Sequence, residues 1–129
     1  MTAKLALIAA CTSAIIAAAL DDSKLWGDWR GDSICVATGT ACRDETVIFH
    51  IKKIPGKPGY VSVVGDKILN GATIAMGTLE FQYNSNKQSL VCENGQGVWL
   101  FTVEGNRMEG TLTRPDTTIF RRVTLKKEV

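Results

Sequence analysis

One histidine, four cysteines and a few clustered carboxylates are the side chains here with chemistry to offer. A nucleophilic site needs a base and a third group that orients it. His50 is the sole imidazole, and it lies beside Lys52 and Lys53 in a run that alternates as a strand does, so a surface position is expected. Asp21-Asp22 and Asp44-Glu45 are adjacent acids. Neighbours on a strand point to opposite faces, so neither pair converges on one reacting atom. Asp66, Asn70 and Gly71 have a trace of a calcium loop, without the further acids and closing glutamate that such a loop uses. A glycine-rich phosphate cradle is missing. The expectation is a protein that is not an enzyme, with no catalytic residues, no cofactor and no metal.

The cysteines point to a compartment. Cys35 and Cys42 bracket the small, flexible stretch VATGTA and are expected to form a disulfide, with Cys92 left as a small buried hydrophobe. Pairing of either with Cys92 is the alternative. A zinc site is disfavoured, because C-x-x-C does not occur.

The leader agrees. In MTAKLALIAACTSAIIAAAL, Lys4 precedes an apolar run that ends in Ala17-Ala18-Ala19, and polar residues follow at once. That order predicts a signal peptide over 1–19. The run is too short to span a bilayer comfortably, so no stable membrane span is expected after cleavage. Ile8-Ala9-Ala10-Cys11 also reads as a bacterial lipobox, which makes a lipoprotein through Cys11 the minor alternative. The expected location is periplasmic or secreted. Removal of residues 1–19 leaves 14 basic and 13 acidic side chains. A near-neutral domain without a basic stripe does not suit nucleic acid, whose phosphates must be neutralised. The tripeptide Arg30-Gly31-Asp32 matches an integrin motif, but it sits inside an expected strand and is read as chance.

Strands must position whatever site exists. Leu79, Phe81 and Tyr83 alternate with polar neighbours, as do Val47, Phe49 and Ile51, and Met108, Gly110 and Leu112. Turn residues recur in PGKPG, NSNK, ENGQG, EGNR and RPDT. Eight strands are expected, over 27–36, 45–53, 59–65, 77–84, 88–93, 97–104, 107–114 and 117–126; 65–77 is ambiguous. Such a series of hairpins hides its edges by closing the first strand on the last. The expected fold class is therefore all-β: an up-and-down antiparallel eight-stranded barrel, a single domain over 20–129, after an N-terminal signal helix. Phe49, Leu79, Phe81, Tyr83, Trp99 and Phe101 form an apolar set that either fills the interior or lines a ligand pocket.

Gly27-Asp28-Trp29 on the first strand and Phe120-Arg121-Arg122-Val123 on the last together resemble the G-x-W signature of lipocalins and related calycin barrels. The resemblance implies that Gly27 and Trp29 mark the closed end and that Arg121 or Arg122 lies across the indole. The order G-x-W-x-G-x-S-x-C, ACRDE, DKILNG, MGTLEFQY, GVWLFTV, RMEGTL and PDTTIFRRVTL is similar to that of small exported bacterial proteins, which implies export and no activity. The leading functional expectation is a monomeric exported barrel that binds a small hydrophobic ligand or an envelope component. The second is a periplasmic protein inhibitor or interaction module.

Overall fold

The computed structural model describes residues 21–39 and 41–129. The expected signal helix, with Cys11, lies outside the described residues. Eight strands follow in chain order: β1 (Gly27–Cys35), β2 (Glu45–Lys53), β3 (Tyr60–Leu69), β4 (Ala72–Asn84), β5 (Ser89–Asn94), β6 (Gly97–Glu104), β7 (Arg107–Thr113) and β8 (Ile119–Lys127). Each pairs antiparallel with the next, and β1 pairs with β8, giving a closed up-and-down barrel. Among the described residues the only helical element is one 3-10 turn, Ser23–Leu25.

The ambiguous stretch 65–77 is a continuation of two strands. β3 runs on to Leu69 and β4 begins at Ala72, joined by Asn70-Gly71. Both turn residues have positive φ, 51° and 81°. That conformation suits a two-residue hairpin, and Asn-Gly adopts it readily. Gly65 pairs with Gly77 and Asp66 with Ala75, so Met76 is the extra residue of a bulge. Pairing of β4 with β5 is short. Only Gln82, Tyr83 and Asn84 have β5 partners, leaving 72–81 without a ladder on that side.

Alternation along the strands divides inside from outside. Val47, Phe49 and Ile51 are buried on β2, Val61 and Val63 on β3, and Val123 and Leu125 on β8. One end of the barrel is solid. Leu25 from the 3-10 turn and Trp29 from β1 are both fully buried there. The Trp29 indole Nε1–H donates to the Leu25 carbonyl at 2.9 Å, so the ring is both packed and hydrogen-bonded. Gly31 makes the β1–β8 contact possible, since a Cβ at this position would lie 1.8 Å from the Thr124 carbonyl oxygen.

The cation expected over Trp29 is corrected. β1–β8 register sets Trp29 opposite Lys127, whereas Arg121 is opposite Cys35 and Arg122 opposite Ile34. Six residues of strand separate Arg121 from the Trp29 level, about 20 Å. Lys127 takes the place: its Nζ lies 5.9 Å from the indole centroid and donates to the Lys24 carbonyl at 2.8 Å. Arg122 points to the exposed outer face. Gly27 keeps its place at the closed end, where a Cβ would meet the Lys127 stem at 3.2 Å.

Cys35 and Cys42 form a disulfide, and Cys92 is a buried free thiol. The bridge joins the end of β1 to the loop before β2, at the end of the barrel away from Trp29.

Candidate functional site

Apolar side chains fill the closed half of the barrel. Its other half opens as a cavity of about 330 Å³. Phe101 forms the boundary. It is 1 % exposed, and three aromatic rings surround it: Phe49 at 5.8 Å edge-on, Phe81 at 5.9 Å edge-on and Trp99 stacked at 5.9 Å. Those three rings face the cavity and Phe101 lies beneath them. Gly110 admits Phe101 from β7, since a Cβ there would fall 2.3 Å from the Phe101 ring.

The six residues of the expected apolar set therefore divide. Phe49, Leu79, Phe81 and Trp99 line the cavity. Phe101 and Tyr83 belong to the packed core, and the Tyr83 hydroxyl is buried with no hydrogen-bond partner among the described residues. Val47 and Val63 complete the apolar wall, and Met76, Gly77 and Thr78 of β4 contribute one side of the opening.

Polar groups gather at the rim. Arg121 lines the cavity with a side chain only 13 % exposed. Its Nη2 lies 2.9 Å from Glu45 Oε1, and its Nη1 donates to Ser33 Oγ at 3.1 Å and to the Ser33 carbonyl at 3.4 Å. Glu45 is shared: Lys67 Nζ approaches its Oε2 at 3.5 Å. Asn94, the last residue of β5, and Gln96, in the turn that follows it, also line the cavity. An apolar chamber with a few convergent polar groups at one end has the composition of a small-molecule pocket.

Sequence reasoning placed Arg121 at the wrong end and did not include Glu45 or Ser33. Strand alternation carried the signal. Glu45 shares parity with Val47, Phe49 and Ile51, Arg121 with Val123 and Leu125, and Ser33 with Trp29. Each is a polar residue on an otherwise inward-facing row.

A second cluster lies on the outer face. His50 Nδ1 is 2.7 Å from Asp28 Oδ1, and its Nε2 is 2.8 Å from Asp66 Oδ2. Both ring nitrogens face carboxylates, and only the imidazolium can donate from both. The hydrogen bond to Asp28, then that to Asp66, raises the His50 pKa above its ordinary value, with partial burial opposing. Pairing of β1 with β2 and of β2 with β3 brings these residues together from positions 28, 50 and 66. Arg30 and Asp32 lie on β1's exposed face within the sheet, and the described residues hold no group of three or more side chains suited to a metal ion.

The chain matches no protein-family model and no curated protein.

Proposed function

We propose that this protein is an exported, monomeric, non-catalytic barrel of the lipocalin-like kind that holds a small apolar ligand, or the apolar part of an envelope component, in the open half of its interior. The observation carrying this reading is the chamber of about 330 Å³ floored by Phe49, Phe81 and Trp99. A core built only for stability would fill that volume, because protein interiors pack as densely as organic crystals. The Cys35–Cys42 disulfide supports an oxidising compartment outside the cytosol.

Displacement of Nile red, a neutral fluorescent probe, tests the reading. Single-chain alcohols should displace it at micromolar concentration, and native mass spectrometry should detect the 1:1 complex. An interior that takes up neither probe nor alcohol would refute it.

A second reading, an interaction module or inhibitor, draws on β4. Residues 72–78 are all exposed and lack a ladder partner on the β5 side. Such an edge can accept an extended peptide as an added strand.

A further inference from the structure

We infer that the ligand of this cavity is a single-chain amphiphile with one anionic group, a carboxylate or a phosphate monoester, held at the rim by Arg121. This rests on the ligand-binding reading above and adds the chemical class of the ligand.

Charge at the rim supports the inference. Two cations, Arg121 and Lys67, share one carboxylate, Glu45. Lys67 lines an adjoining groove that shares Glu45 and Arg121 with the chamber, and the loop before β2 adds one charge of each sign to that groove, Arg43 and Asp44. Ser33, Asn94 and Gln96 are neutral. Among the chamber's own lining residues Arg121 and Glu45 balance, and the one positive charge in excess is added by the adjoining groove, through Lys67. A guanidinium can serve two acceptors through its fork of five N–H donors. An anionic group seated in the chamber beside Glu45 would meet Arg121 directly and lie in the field of Lys67 from the adjoining groove, with Ser33 Oγ as a further hydroxyl donor. A cationic group would meet two like charges and a single carboxylate that is already shared.

The chamber sets the rest of the ligand. Below Arg121 the wall is Val47, Phe49, Val63, Leu79, Phe81 and Trp99, with no charge. About 330 Å³ is near the small end of ligand pockets. That size suits one chain and not a two-chain lipid.

Competition against Nile red with decanoate, decyl phosphate, 1-decanol and decylammonium tests the proposal on the full mature protein. Decanoate or decyl phosphate should bind about tenfold more tightly than 1-decanol, the difference expected of one charge-assisted contact. Decylammonium should bind more weakly than the alcohol. Comparison of the two anions identifies which head group is preferred. Glu45→Gln, which removes the competing carboxylate, should tighten decanoate binding and leave 1-decanol unchanged. Arg121→Gln should make decanoate and 1-decanol equal; retained 1-decanol affinity in that variant reports an intact fold. Equal binding of all four chains by the wild-type protein would overturn the inference and leave the ligand-binding reading standing. Failure of every chain to bind would overturn both.

Discussion

Lys127 and Trp29 face each other across the β1–β8 seam, with the ammonium 5.9 Å from the indole centroid and bonded to the Lys24 carbonyl. One side chain thus connects the last strand, the first strand and the 3-10 turn beneath them. Replacement by methionine keeps the length and removes the charge. Lys127→Met should lower stability by about 0.5–1.5 kcal/mol in urea denaturation. Arg122→Ala, on the outer face, should stay within about 0.5 kcal/mol of wild type. The reverse ranking would return the seam to an arginine.

Gly31 has a steric task at the same seam. A methyl group there would overlap the Thr124 carbonyl, and the obstacle is backbone, which cannot rotate away. Gly31→Ala should cost at least about 2 kcal/mol, as overpacking does when nothing flexible can yield. Gly95→Ala is the control, since a Cβ at Gly95 meets nothing within 4 Å. Its thermal midpoint should be unchanged.

His50 makes stability depend on pH in a defined direction. Its folded pKa is raised by Asp28 and Asp66 above the ordinary 6.5. The folded protein therefore holds the proton more tightly than the unfolded chain. This contribution is complete below pH 6.5 and declines as pH rises through the folded pKa. The size should not exceed about 1 kcal/mol, because Asp28 is 55 % exposed and the pair is screened. Denaturation midpoints at pH 5.5 and 8.5, compared with those of His50→Gln, isolate it. The variant's midpoint should lack that share of the decline, and proton NMR of the ring should show a titration shifted to higher pH.

The Cys35–Cys42 bridge closes a loop of seven residues' separation. Closing so short a loop restricts the unfolded chain by about 2.5 kcal/mol on the chain-entropy model. Reduction, or Cys35→Ser with Cys42→Ser, should lower stability by about that amount. Ser33 and Arg121 lie next to this bridge, so decanoate affinity should fall more than 1-decanol affinity in the double variant.

Periodicity of two carried most of the architecture. Val47, Phe49 and Ile51 could be assigned inward from spacing alone, and the turns in NSNK and EGNR announced hairpins. The β3–β4 connection was harder, because from Ile68 to Leu79 no charged residue marks an outer face. Asn70-Gly71 was the available signal. The closed-end cation was misplaced because local sequence gives a strand's parity but not its register against a partner about 90 residues away. Sliding β8 by six residues preserves every inward side chain and exchanges Arg121 for Lys127 at Trp29. The His50 cluster was hidden for the same reason, since Asp28 and Asp66 reach it only through cross-strand pairing.

Seven of the eight joints around this ring are long, and the joint between β4 and β5 holds at Gln82, Tyr83 and Asn84 alone. Backbone amides on that margin of β4 have no strand beside them to slow exchange with solvent. That margin, beside Met76 and Thr78, is the weakest join of the ring, so amide exchange should be fastest there and slowest around Trp29.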